Sequence, residues 1–268
     1  MSDRSGVDSL YLRRLPSPTE LRLTWLTEPV SDPAIAPDSG RAAYAVDGRI
    51  ELVHLTTGDT VGLSLGVEWR DAQPAWRPDG RALVVRARRG VGARGDLHLL
   101  ELRHDGALAR RRPLTETPGI EEAEPVWGPD AATVIYASQG GLYELDLETG
   151  LTQRLTRGLQ EARGARFLPG GDLVWLWRED KRFGIDRMSS DGTRRTLRQG
   201  AVAYRSVAPS PDGVWLVATL GLNLGFRLSE LLKPRPTEEL HLLDGEGRLV
   251  TPLAPAWAYS NHSADWGR

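Results

Sequence analysis

The residues Gly62–Gly66 read GLSLG, the spacing of a nucleophile elbow, in which a sharp strand-to-helix turn exposes a serine hydroxyl for attack on a carbonyl. The residues after Ser64 lead into a loop and then a further strand pattern, so the elbow lacks the helix it needs and the match is read as coincidence. Five histidines are present, His54, His98, His104, His241 and His262, and none is spaced as H-x-H or H-x-x-x-H, so no imidazole metal set is assigned. The chain has no cysteine, which removes thiol nucleophiles, zinc thiolates and disulfides. Carboxylates remain. Asp32 and Glu124 could do acid–base work or hold a divalent cation if the fold brought them together. Whether it does depends on the elements that carry them.

Those elements repeat. Ser31–Asp38 reads SDPAIAPD, Gln73–Gly80 reads QPAWRPDG and Glu124–Asp130 reads EPVWGPD, with weaker copies at Ala165–Gly171 and Val207–Gly213 and a last one at Ala264–Arg268. The slot for a large residue holds Ile35, Trp76, Trp127, Phe167, Pro209 and Trp266, at spacings of 41, 51, 40, 42 and 57 residues. A large ring at this slot is suited to wedge between neighbouring units. After each Pro-Asp turn comes an apolar run: Arg41–Val46, Ala82–Val85, Thr133–Ala137, Leu173–Trp177 and Val214–Ala218. A further strand follows, best seen in Gly141–Leu147, then a Gly-containing turn and a short last strand such as Leu151–Thr156. Period-two alternation bounded by turn residues marks strands, and four short strands per unit at this period predict a propeller blade.

Starts of the strand after the apolar run are counted at Leu10, Ile50, Leu97, Leu142, Ile185 and Leu240. The stretch Ser9–Thr27 parallels Gly141–Arg157. The expectation is therefore one all-β domain over residues 1–268, a six-bladed β-propeller whose last blade is shared by the N- and C-termini, with residues 9–27 and 263–268 in one blade. The insertion Gly221–Glu239 is expected to form a short helical lid over Phe226–Leu232, stopped by Pro234 and Pro236.

Bulk composition narrows the partners. Lys+Arg number 34 against 36 Asp+Glu, so no strongly basic face is expected and nucleic acid is excluded as a dedicated partner. Lys181 and Lys233 are the lysines, a bias that a GC-rich bacterial coding sequence explains. Met1–Leu10 has no apolar leader core and no run reaches membrane-spanning length. A monomeric cytoplasmic protein without membrane insertion is expected, or a periplasmic one if a leader had been trimmed. The arginines Arg86, Arg88, Arg89, Arg94, Arg103 and Arg110–Arg112 read as a solvated basic loop.

The pattern PxWxPDG followed by LYxxDLxxGxxxxLT resembles the TolB-like, or WD40-like, propeller repeat over residues 9–268. Leu23–Val46 also resembles the start of the propeller in prolyl-oligopeptidase-type peptidases, although the α/β-hydrolase domain of that family has no counterpart here. The resemblance implies a propeller fold, with functions that range from periplasmic translocation to the gating of a peptidase.

In a four-stranded blade, the loops between blades share one face with those joining strands two and three. The length variation falls there, at Arg88–Gly95, Glu179–Gly184 and Gly221–Glu239, and variable loops on a rigid scaffold usually carry function. Aligned by repeat, Asp32, Gln73, Glu124, Gly164, Ser206 and Ser263 occupy one position at this mouth, and Ser31, Ala72, Ala123, Arg163, Arg205 and His262 the one before. Acid and amide are thus expected on the early blades, cation and hydroxyl on the later ones. Trp69, Tyr204 and Tyr259 are expected nearby as stacking surfaces. The function expected is a non-enzymatic binding or scaffold propeller holding a peptide, a protein segment or a small polar ligand at the channel mouth. No catalytic residue, metal ligand or cofactor is assigned. Two rivals are a lyase or hydrolase using mouth carboxylates with a divalent cation in the channel, and a detached regulatory propeller of a serine peptidase.

Overall fold

The computed structural model describes residues 7–13, 17, 19–63, 68–90, 92–156, 158, 160–221 and 238–254, and every regular element among them is a β-strand. Two short strands come first, β1 (Tyr11–Arg13) and β2 (Glu20–Arg22), paired as an antiparallel ribbon. Five four-stranded antiparallel blades follow in chain order. The first is β3 (Val30–Ile35), β4 (Arg41–Val46), β5 (Arg49–His54) and β6 (Thr60–Gly62). The second is β7 (Trp69–Trp76), β8 (Ala82–Arg89), β9 (Asp96–Leu102) and β10 (Leu108–Pro113). Blade three holds β11 (Glu122–Trp127), β12 (Thr133–Ser138), β13 (Gly141–Asp146) and β14 (Thr152–Arg154). Blade four holds β15 (Glu161–Phe167), β16 (Leu173–Glu179), β17 (Arg182–Met188) and β18 (Arg194–Gly200). The fifth is β19 (Ala203–Pro209), β20 (Trp215–Gly221), β21 (Glu238–Asp244) and β22 (Leu249–Ala254).

This topology corrects the expectation of six blades. The described residues form a five-bladed propeller. Ile50, Leu97, Leu142, Ile185 and Leu240 fall in the third strands β5, β9, β13, β17 and β21, but Leu10 precedes β1, which pairs with β2 in the two-stranded ribbon. The miscount has a local cause. Leu10 N–H donates to Thr24 Oγ1 at 2.9 Å and Leu23 N–H to Leu10 O at 2.9 Å, the same clasp as Leu142 to Thr156 and Leu155 to Leu142. A hairpin makes these bonds whether or not further strands join it. The ribbon packs Leu10 and Leu23 on Val30, Ala42 and Tyr44 of the first blade, and Arg13 Nη1 donates to Leu253 O of β22 at 2.7 Å. It therefore lies against both the first and the fifth blade. Residues 263–268 and the proposed lid over Phe226–Leu232 lie outside the described residues.

The blades stack face to face, so their central strands are buried on both sides. In β12, Val134 and Tyr136 turn to the second blade, while Ile135 packs with Ala162, Leu173 and Trp175 of the fourth. Burial on both faces makes such a strand a nearly continuous apolar run. The outer strands β6 and β14 are exposed along their length. The repeated slot works as expected: Trp76 Nε1–H donates to Ala34 O at 3.0 Å and Trp127 Nε1–H to Ala75 O at 3.1 Å, each ring reaching the preceding blade. The Pro-Asp motif has a structural role of its own. Asp38, Asp79, Asp130 and Asp212 each accept, through Oδ1, the backbone N–H two residues on, which holds the turn between the first two strands.

Candidate functional site at the propeller mouth

The innermost strands β3, β7, β11, β15 and β19 follow one another around the propeller axis. Four of them carry the same irregularity near the middle. Asp32, Gln73, Glu124 and Gly164 have φ of 51°, 54°, 52° and 62°, and in each strand two residues face one on the neighbouring strand. This is a β-bulge with its first residue in the left-handed region, which bends the strand and re-aims its side chain. Such backbone costs about 1–3 kcal/mol for a residue with a Cβ and persists where surrounding contacts hold it. Here the contacts are visible. Gln73 Oε1 accepts the Glu124 N–H at 2.9 Å, and Glu124 Oε2 accepts the Gly164 N–H at 2.6 Å. The Gln73 and Glu124 side chains each tie the next bulge backbone, forming a chain of links from the second blade to the fourth. In the fifth blade the register shift falls at Arg205, between Tyr204 and Ser206.

The structure places the remaining sequence candidates as follows. Asp32 accepts from the Ser31 hydroxyl at 2.9 Å. Arg163 is exposed and donates through Nη2 to Tyr204 O at 3.2 Å. Arg205 is exposed and lies within β19, not in a loop. Ser206 donates to Thr219 Oγ1 at 2.8 Å inside its own blade. Tyr204 is buried among Leu176, Val207 and Leu220, and its hydroxyl accepts from Arg198 Nε at 2.5 Å. Its ring is core between blades four and five. Tyr259, His262 and Ser64 lie outside the described residues. Gln73, Glu124 and Gly164 are thus brought together, as are Arg163 and Tyr204. Trp69 belongs to a different group.

That group is a buried polar cluster in the second blade. Arg111 makes a two-pronged pair with Asp71, at 2.7 and 2.8 Å, and its Nε donates to His98 Nδ1 at 2.9 Å. The guanidinium lies 4.3 Å from the Trp69 ring centre, and the Trp69 and His98 rings are tilted with centroids 4.6 Å apart. Burial, and then the Arg111 charge, push the His98 imidazole down from 6.5 to about 4, with Asp96 opposing. A histidine held neutral in the fold takes up its proton in the unfolded chain first. Its contribution is complete above the unfolded pKa of 6.5 and is lost as pH falls toward about 4. The wild type should lose roughly 2 kcal/mol between about pH 7 and pH 5 through this group, and His98→Gln should lack that slope. Urea midpoints of both proteins at the two pH values check this; equal slopes would remove His98 as the cause.

One half-buried cluster escaped the sequence reading. Strand β8 continues past Val85, so Arg86 and Arg88 share with Ala82 and Val84 the face turned to the third blade. There Glu121 Oε1 accepts from Arg88 Nη2 at 2.5 Å and lies 3.6 Å from Arg86 Nη1, and Glu121 Oε2 accepts the Gly95 N–H at 3.0 Å. The hydrogen bonds from Arg88 and Gly95 outweigh burial and hold the Glu121 carboxyl below its usual range. Burial acts most strongly on Arg86 and lowers its pKa, the Arg88 charge adds to this, and Glu121, Asp32 and Glu124 pull the other way. Period-two alternation carried three residues further would have found it; the run of arginines disguised it as loop. Next to it, Glu122 is buried and held by the Thr115 and Thr117 hydroxyls, and desolvation raises its pKa despite them. No group of three or more His, Cys, Asp or Glu side chains placed to hold a metal ion occurs among the described residues.

Comparison with known proteins agrees with this architecture. No family model matches the chain. It is 28% identical over 211 residues to the uncharacterized peptidase YuxL of Bacillus subtilis, spanning 72% of this chain and 30% of that one. It is 25% identical over 216 residues to dipeptidyl-peptidase 5 of Porphyromonas gingivalis, at 73% and 31%. The chain therefore matches less than a third of the length of these relatives. Among solved structures, TolB from Acinetobacter baumannii superposes with a TM-score of 0.74 at 18% identity, covering 94% of this chain and 61% of that one. A puromycin-hydrolyzing peptidase of Mycobacterium tuberculosis gives 0.64 at 17%, covering 94% and 42%. The chain is a β-propeller, and its structural neighbours are TolB and prolyl-oligopeptidase-like propeller domains.

Proposed function

We propose that this propeller is a binding module that holds an extended peptide segment at the mouth formed by the N-terminal halves of its innermost strands. The observation that carries the reading is the series of bulges, which places strained, left-handed backbone at the same position of four innermost strands while Arg163 and Arg205 stand exposed beside it. Strained backbone of this kind is a reason to look for function at that place. A second reading is favoured by the two curated peptidases, whose similarity to this chain covers about 30% of their length. On that reading the peptide held here is on its way to, or away from, a peptidase partner. Both readings share the same mouth.

The test reverses one exposed charge. Arg205→Glu should weaken binding of a fluorescein-labelled mixed octapeptide pool by about 1–2 kcal/mol, roughly five- to thirtyfold. The substitution is on an exposed strand position, so stability should move by only about 0.5 kcal/mol. Anisotropy titration and thermal melting of the same two proteins decide it. A large drop in melting temperature without peptide, or unchanged binding, would assign Arg205 to internal structure and end the mouth reading for this residue.

A further inference from the structure

Arg86 has a buried Nε without a hydrogen-bond partner among the described residues. Its stem is pinned: a Cβ built on Gly95 would lie 2.6 Å from Arg86 Cγ and 2.8 Å from Cδ, so the loop before β9 holds the side chain in place through the absence of one. Its nearest carboxylate, Glu121, is 3.6 Å away, beyond hydrogen-bond range, and is already bonded to Arg88 and to Gly95 N–H. Two guanidiniums thus share one acid, and the Nε of each is buried without a hydrogen-bond partner among the described residues. The Glu124 carboxylate accepts the Gly164 N–H. A guanidinium that is largely out of water and lacks acceptors is costly unless something else supplies them. The geometry fits a carboxylate, which a guanidinium fork grips with two parallel hydrogen bonds. The Arg86 side chain keeps 21% of its surface exposed, enough for a ligand to reach its terminal nitrogens.

Resting on the peptide-binding reading above, we infer that Arg86 is the anchor of a carboxylate-recognising site at the propeller mouth, and that the peptides held there present an acidic side chain or a free C-terminal carboxylate. Arg88, pinned on Glu121, keeps that acid from folding onto Arg86 and so leaves the Arg86 fork available.

The experiment uses the full chain and labelled octapeptides in four forms: glutamate-containing with a free C-terminus, the same with an amidated C-terminus, and the glutamine and lysine counterparts, both amidated so that neither carries a carboxylate. The acidic free-acid peptide should bind at least tenfold more tightly than the glutamine and lysine forms. The amidated glutamate arm separates the two sources of carboxylate: a loss on amidation assigns the C-terminus, and no loss assigns the side chain. Arg86→Gln should abolish the preference for the acidic peptide, and Arg86→Lys should restore only part of it, because an ammonium lacks the fork. Equal binding of acidic and neutral peptides by the wild type overturns the inference and leaves the peptide-binding reading standing. No binding of any peptide overturns both. If Arg86→Gln does not fold, the four peptide arms on the wild type still decide the charge preference.

Discussion

Asp71→Asn is expected to destabilise the protein by about 3–5 kcal/mol, because it leaves the Arg111 guanidinium buried without its counter-charge. Asp71 and Arg111 have side-chain exposures of 1% and 8%, and two hydrogen bonds join them. The Asp71 N–H also donates to Gly48 O of the first blade at 2.8 Å, so the residue stands at the seam between blades one and two. His98 still accepts from Arg111 Nε in the variant, but a neutral imidazole does not replace a carboxylate. Removing both partners should cost far less than removing one: Asp71→Leu with Arg111→Met exchanges a buried ion pair for apolar volume, a swap that is often close to neutral. An exposed pair supplies the control. Arg195 and Glu246, at 49% and 54% exposure, join blades four and five at 2.7 Å, and Glu246→Gln should change stability by no more than about 1 kcal/mol. Urea unfolding of the four proteins tests the ordering. A loss below about 1 kcal/mol for Asp71→Asn would mean that Arg111 finds other acceptors and that the pair does not hold this seam.

Trp127→Ala should be comparably damaging, at about 3–5 kcal/mol. The ring is 5% exposed and packs among Val84, Leu97, Leu99 and Tyr136, so truncation opens a large cavity between the second and third blades. It also strands the Ala75 carbonyl that accepts the indole N–H. Trp127→Phe separates the two effects: most of the volume stays, the hydrogen bond goes, and the loss should fall to about 1–2 kcal/mol. Trp25 is 69% exposed, and its replacement by alanine should stay near 0.5 kcal/mol. Guanidinium unfolding midpoints give the comparison, and equal losses at Trp127 and Trp25 would refute the wedge.

The second strands were legible for a simple reason. Buried on both faces, Arg41–Val46 and Thr133–Ala137 appear as largely apolar runs, and the structure places β4 over Arg41–Val46 and β12 over Thr133–Ser138. The innermost strands were hidden by their own chemistry. SDPAIA, QPAW and EPVW begin with a polar residue and a proline, which in a central strand would remove a ladder hydrogen bond and therefore reads as loop. At a bulge the extra residue needs no ladder partner, so proline costs nothing there, and the preceding Asp32, Gln73 or Glu124 turns left-handed. Asp32, Gln73, Glu124 and Gly164 are equivalent positions as the repeat implies, but they lie within strands and not in loops, and in the fifth blade the shift falls at Arg205 instead of Ser206.

What these residues determine by themselves is local: the Pro-Asp turns, the threonine clasps, the tryptophan wedge and the alternation of each hairpin, because the groups involved lie within one or two strands of each other. The number of blades and the state of each mouth side chain were decided by tertiary structure. Ser9–Thr27 has the pattern of a blade's outer hairpin, yet among the described residues it remains a ribbon against the first blade, since strand pairing depends on what arrives beside it. Glu124 has the composition of an acid–base candidate, and only the arrival of Gly164 from the next blade makes it a backbone clasp. Arg86 lies in an arginine-rich run that reads as solvated loop, and only the third blade's Glu121, already held by Arg88, leaves it a pinned cation lacking acceptors. Charge and hydrogen-bonding capacity are properties of a residue; whether they are satisfied is a property of the neighbours that folding supplies.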